Sequence, residues 1–131
     1  MQRTPIDPWQ WSLNLGYHQG EVVSGHTRQL TVAGQTSVDA DGAPLHAGDM
    51  RAQLTQTLDN LEAVLEAAGM GLADITRLGI YATDVDAALA NFDLLGGRLG
   101  PAGAAPPMTL LGVTRLALEP LMIEIEATAV A

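Results

Sequence analysis

The segment Met122-Ile123-Glu124-Ile125-Glu126-Ala127-Thr128 alternates polar and apolar residues, as a strand with one buried face does. On such a strand Met122, Glu124, Glu126 and Thr128 share one side, and the two glutamates stand about 7 Å apart at Cα. Carboxylates at that spacing titrate as a coupled pair, which suits general acid–base work. A strand facing solvent or a polar subunit axis carries the same pattern, so the residues alone leave both roles open. Tyr17 could donate its hydroxyl to a carbonyl or imine, or sit satisfied at an interface. His18, next to it, could shuttle a proton near neutral pH or be structural. His26 and His46 fall in turn-like stretches and are expected to be exposed.

Several chemistries are excluded by residues the chain lacks. Its 131 residues include no cysteine, so a thiolate nucleophile, a disulfide and a cysteine zinc site are ruled out. All 6 basic residues are arginines, so no lysine is available for a Schiff base with a carbonyl substrate or pyridoxal phosphate. The 3 histidines show no paired metal-ligand spacing, so no metal site is expected. Gly96-Gly97 lacks the strand-to-helix context of a phosphate loop, and no serine sits in a nucleophile elbow. A formal charge of −9 argues against nucleic acid and against anionic membranes as partners. No apolar stretch approaches the roughly 20 residues of a membrane span, and the N-terminus has no basic-then-apolar leader. A cytoplasmic protein is the expectation.

The positioning elements follow from period and punctuation. With 47% hydrophobic and 16% charged residues, the chain has enough apolar material for one folded domain. Met1 to Leu15, with Pro5, Pro8, Trp9 and Trp11, shows no period and reads as an extended arm. Its tryptophans would anchor it to the body or to a neighbouring subunit, or else wall a ligand. Gly20–Val23 and Gln29–Ala33 read as paired strands, and Asp39-Ala40-Asp41-Gly42 as a turn. Asp49 is placed to cap a long helix in which Met50, Leu54, Leu58, Leu61, Leu65 and Ala68 share a face, with Gly69 at its end. Ile75–Ala82 alternates as a strand, with Leu78, Ile80 and Ala82 opposite Arg77, Gly79 and Tyr81. Asp84 or Asp86 then caps a second helix carrying Leu89, Phe92, Leu95 and Leu99, whose last turn Gly96-Gly97 weakens. Two strands, Met108–Leu116 and Leu121–Val130, close the chain. This order predicts an α+β, two-layer domain: a mixed sheet with two helices on one face. The other face must be covered, which makes self-association a physical expectation.

Four segments carry a resemblance. Gly16-Tyr17-His18-Gln19-Gly20, Val32-Ala33-Gly34-Gln35, Leu58-Asp59-Asn60-Leu61-Glu62-Ala63-Val64-Leu65-Glu66-Ala67-Ala68-Gly69 and Ile123-Glu124-Ile125-Glu126-Ala127-Thr128-Ala129-Val130 resemble the YjgF/RidA (reactive intermediate deaminase) family, in order and spacing. The likeness runs over 16–131, leaving 1–15 as an arm. It implies a chorismate-mutase-like fold, a homotrimer around a central barrel, and a small-molecule cleft at each subunit interface. It also implies hydrolysis of enamines and imines without metal or organic cofactor. Carried over by position, the family's pocket tyrosine is Tyr17 and its last-strand glutamate is Glu124, the two catalytic candidates. The carboxylate-clamping arginine does not carry over: its place is taken by Met108, with Thr109 and Leu110 following. Ala33 stands where the family has a cleft serine, with Gln35 close by, and Phe92 or Asp93 falls at a family asparagine. Arg115 corresponds to a different basic position.

The implied ligand is a small molecule without the usual carboxylate, since a bidentate arginine contact is far stronger than anything a thioether offers. Three readings follow: a hydrolase or tautomerase for a neutral or apolar imine, enamine or enol; a metabolite binder without turnover; and a structural or chaperone-like trimer.

Overall fold

The computed structural model describes residues 1–131. Its strands are β1 (Gln2–Ile6), β2 (Gly20–Ser24), β3 (Gln29–Gln35), β4 (Ile75–Ala82), β5 (Met108–Gly112) and β6 (Ile123–Val130). Its α-helices are α1 (Met50–Ala67), α2 (Val85–Leu89) and α3 (Asp93–Leu99). The main sheet is mixed and has the order β3-β6-β4-β5. β6 runs antiparallel to both β3 and β4, while β4 and β5 are parallel across the α2–α3 crossover, as a strand–helix–strand connection requires.

α1 is bounded by the signals its sequence carries. The Asp49 carboxylate accepts from the Ala52 N–H at 3.0 Å, satisfying one of the orphan donors of the first turn. At the other end Gly69 adopts φ +71°, and Met70 N–H donates back to Leu65 O at 2.9 Å. Leu54, Leu58, Leu61 and Leu65 are fully buried against Ile123, Ile125, Leu78 and Ile80 of the sheet. Each such leucine or isoleucine stabilises the fold by about 1.5–3 kcal/mol relative to leaving it in water. On β6 burial alternates as the sequence implies: Ile123, Ile125, Ala127 and Ala129 face the helices, while Glu124, Glu126 and Thr128 lie on the open face.

One buried polar side chain ties the layers together. Gln53 is 0% exposed. Its Nε2 donates to His46 O at 3.1 Å and Pro120 O at 2.8 Å, and its Oε1 accepts from Met122 N–H at 2.7 Å. The start of α1 is thereby locked to the approach of β6.

Within the first fifteen residues the structure adds one strand, β1, which pairs along its whole length with β2. Pro5 and the missing period hid this strand, since proline is tolerated where no ladder partner needs its N–H. The structure corrects three expectations. β2 and β3 do not pair with each other: β2 belongs to the β1 ribbon and β3 to the main sheet. The chain turns between them at Gly25 (φ +74°), and the Thr27 and Arg28 N–H groups donate to Ala131 O, each at 2.9 Å, steering β3 onto β6. The second helix is broken into α2 and α3 around Ala90–Phe92, where the Asn91 side chain donates to Ala87 O at 2.8 Å. Asp84, not Asp86, caps α2, and α3 runs through Gly96-Gly97 to Leu99 without a frayed turn. Finally, β5 ends at Gly112 and β6 starts at Ile123. Between them the Arg115 guanidinium donates to the Leu116 and Ala117 carbonyls, and Leu121 N–H closes a turn onto Leu118 O at 3.0 Å.

Candidate functional site

Tyr17, Met108 and Leu110 meet at one apolar pocket of about 260 Å³, which Leu15, Ile80, Leu89 and Phe92 complete. β5 supplies Met108 and Leu110. Its parallel register sets them beside Leu78 and Ile80 of β4, so they stand on the helix side of the sheet. Leu89 ends α2 and Phe92 sits in the break before α3, so the interruption of the second helix is what presents these two side chains. None of the seven lining residues carries a charge.

Leu15 and Tyr17 come from the loop joining β1 to β2. Gly16, at φ +87°, turns the chain between them in a conformation that favours glycine. Trp11 packs edge-on to Tyr17, with centroids 6.1 Å apart and planes at 85°. The base of the loop is pinned by Asp7, whose Oδ1 accepts from Gln19 N–H and whose Oδ2 pairs with His18 Nδ1, both at 2.8 Å. The Gln19 N–H, and then His18, hold the Asp7 carboxyl below its ordinary pKa. His18 is therefore a structural clasp in this chain, and His26 and His46 are exposed.

The carboxylates lie elsewhere. Glu124 pairs in register with Tyr81 and Glu126 with Gly79, on the face opposite Met108. Both glutamates fold over glycines: a Cβ at Gly34 would come within 2.6 Å of Glu124 Cδ, and one at Gly79 within 2.8 Å of Glu126 Oε1. Glycine at these two positions is what lets each carboxylate lie down on the sheet. The Tyr81 hydroxyl donates to Glu126 Oε1 at 2.6 Å. Burial, and then the charge of Glu126, push the Glu124 pKa up.

The sequence-predicted residues thus form two groups within one chain. Tyr17, Met108 and Leu110 share the apolar pocket. Glu124 lies on Gly34, between Ala33 and Gln35 on the edge strand β3, where Gln35 Nε2 folds back onto Ala33 O at 3.1 Å. Thr109 pairs with Gly79 and is exposed on the carboxylate face. The pocket walls Leu15, Ile80 and Leu89 were not anticipated, because they converge from a loop, a strand and a helix end. Tyr81 as partner of Glu126 was also missed, although its place on the same strand face as Arg77 was readable.

Comparison with known proteins adds four findings. Residues 14–131 match the profile of the family described as Endoribonuclease L-PSP. A RutC family protein of Pyrococcus horikoshii is 32% identical over 125 residues, 95% of this chain and 88% of that protein. The 2-iminobutanoate/2-iminopropanoate deaminase of Escherichia coli is 32% identical over 102 residues, covering 77% and 78%. Among solved structures, that of YyfB from Yersinia pestis, a Rid family protein of unknown function, superposes with a TM-score of 0.84 at 33% identity, over 100% of both chains.

Proposed function

The chain belongs to the Endoribonuclease L-PSP family, also called YjgF/RidA, and on that premise we propose that it is a homotrimer whose interface clefts take an apolar or neutral imine, enamine or enol. Glu124 acts there as general acid–base and Tyr17 as the orienting donor. The observation that carries this reading is the absence of any charged side chain around the pocket of Tyr17 and Met108.

The named substrates of the Escherichia coli relative, 2-iminobutanoate and 2-iminopropanoate, are carboxylates. A site for them calls for a bidentate cation. In this chain the position that the resemblance assigns to that cation holds Met108, and Arg115 is turned to its own neighbouring carbonyls. An apolar pocket with one hydroxyl favours a ligand whose bulk is carbon and whose reacting group is neutral.

Assembly is supported by the division of the candidate residues. β3 and β5 are the two edges of the main sheet, and one edge carries the Glu124 group while the other carries the Met108 group. A second copy that brings its β3 edge to this β5 edge would unite them. Burial and the charge of Glu126 raise the Glu124 pKa, the direction that suits a proton donor to the imine or enamine.

The test compares two imines made in situ and trapped with semicarbazide. The protein is expected to accelerate loss of a neutral imine generated by a flavin amine oxidase, and to leave 2-iminopropanoate unaffected. The reverse pattern overturns the proposal. Glu124→Gln should abolish turnover while ligand binding survives; if the wild type binds the neutral imine without consuming it, the protein is a carrier. Sedimentation at the mass of three chains is expected, and a monomer would remove the basis for the shared cleft.

A further inference from the structure

Aromatic side chains are scarce in this chain, and they are not spread evenly. Its 131 residues include 1 phenylalanine, 2 tyrosines and 2 tryptophans. The single phenylalanine, Phe92, and one tyrosine, Tyr17, line the 260 Å³ pocket. One tryptophan, Trp11, packs edge-on against Tyr17 and so fixes the plane of that ring. Met108 completes the same wall, and a thioether sulfur makes favourable contacts with ring edges. No phenylalanine, tyrosine or tryptophan lines either of the other two cavities.

Burial grades the depth of the pocket. Ile80, 1% exposed, forms the floor, and Leu15 and Leu89, 67% and 52% exposed, stand at the rim. Tyr17, Phe92, Met108 and Leu110 are half-buried walls between them. A sealed apolar cavity of about 150 Å³ lined by leucine, isoleucine and phenylalanine binds benzene. The 260 Å³ here holds such a ring with the carbon and nitrogen of an imine beside it. It falls short of the roughly 300–1,000 Å³ that drug-sized ligands occupy. The Tyr17 hydroxyl is the one O–H or N–H side-chain donor among the lining residues. The polar end of a ligand is therefore drawn to Tyr17, and its apolar end to Phe92 and Met108.

Resting on the reading of this pocket given above, we propose that its ligand carries a single aryl ring. The substrate class is then an aryl or arylalkyl imine or enamine without a carboxylate. Ring–ring and sulfur–ring contacts add to what plain area burial supplies. A planar ring also gives up less rotational freedom on binding than an alkyl chain of equal carbon count. An aliphatic imine gains the burial alone.

The test measures binding with ketones, which offer a carbonyl in place of the C=N bond and are not consumed. The full chain, ¹³C-labelled at methionine, leucine and isoleucine methyls, is titrated with acetophenone, cyclohexyl methyl ketone and butanone. Acetophenone is expected to give saturable ring-current shifts at the Met108, Leu110 and Ile80 methyls. It should bind about fivefold tighter than cyclohexyl methyl ketone and at least about tenfold tighter than butanone. Burial alone predicts the reverse order for the two rings, because the saturated ring is the larger and more apolar. Phe92→Leu keeps an apolar side chain and should bring the two ring ketones within about twofold of each other. Met108→Leu, which conserves volume, should narrow the gap as well. Thermal melts check that both variants fold, and the wild-type comparison stands without them. Equal affinity for the two rings, tighter binding of the cyclohexyl ketone, or no shift at these methyls overturns the inference. A wild type that prefers the aryl ring yet consumes no imine upholds it and removes the hydrolase reading alone. Turnover of a neutral imine with no aryl preference does the reverse.

Discussion

Tyr81 hydrogen-bonds Glu126 at 2.6 Å although the strand register pairs it with Glu124. The diagonal contact divides the two carboxylates into different tasks. Glu126 is held by a phenol, while Glu124 rests on Gly34 with burial and a neighbouring negative charge acting on it. Burial and the neighbouring charge make Glu124 hold its proton to higher pH than an ordinary carboxylate.

Tyr81 is accordingly expected to ionise late. Its hydrogen bond to Glu126, then burial, then the charge of Glu126, raise its pKa above the ordinary phenol value. Following tyrosinate absorbance with pH should show this delayed ionisation, and Glu126→Gln should bring it earlier. An unchanged titration curve in that variant would show that the contact does not persist in solution.

Glu124 should make stability fall as pH rises. Its pKa is raised in the folded chain, so between the ordinary carboxylate pKa and the raised one the native state holds a proton that the unfolded chain releases. That contribution is complete below the ordinary value and is lost as pH climbs through the raised value. Urea melts across this window should show the slope, and Glu124→Gln should flatten it. Gly34→Ala would push the carboxylate off its glycine and, by exposing it, also reduce the slope.

Gln53→Leu should destabilise the protein by about 2–4 kcal/mol, measured by chemical denaturation. The substitution fills the space but leaves the His46 and Pro120 carbonyls and the Met122 N–H without the buried amide that pairs with them, and each such loss costs about 1–3 kcal/mol where water does not reach. A near-neutral result would mean that water takes over the contacts.

Met108→Arg should create affinity for small carboxylates in the pocket of Tyr17. Titration with pyruvate, followed by Tyr17 and Trp11 fluorescence, is expected to give binding in the variant at least about tenfold tighter than in the wild type. Equal weak binding in both would show that the methionine is not what excludes carboxylates.

The extent to which the sequence revealed this molecule depends on the range of the interactions. α1, with its Asp49 cap and left-handed Gly69, and the two-faced β6 were legible because period and capping are local. So was the mixed sheet, through the crossover from β4 to β5. The pairing of β1 with β2 was not, because Pro5 and a short polar strand give no alternation to count. The site was half legible: Tyr17, Met108 and Glu124 could be singled out by resemblance. That the chain itself keeps Glu124 apart from Tyr17 and Met108, on opposite faces of the sheet, needed the register. The seating of Glu124 on Gly34 and Glu126 on Gly79 depends on contacts between strands distant in sequence.

The β1–β2 ribbon has one more consequence. Arg3 grips Glu21 with Nε and Nη2, and reaches the Ala73 and Ile75 carbonyls as well; the residues between the two strands include Leu15 and Tyr17. The wall of the apolar pocket is therefore a hoop clamped at its foot, and slack at that foot travels to the rim. In an alanine scan, damage at residue 3 or 7 would masquerade as a defect in ligand recognition.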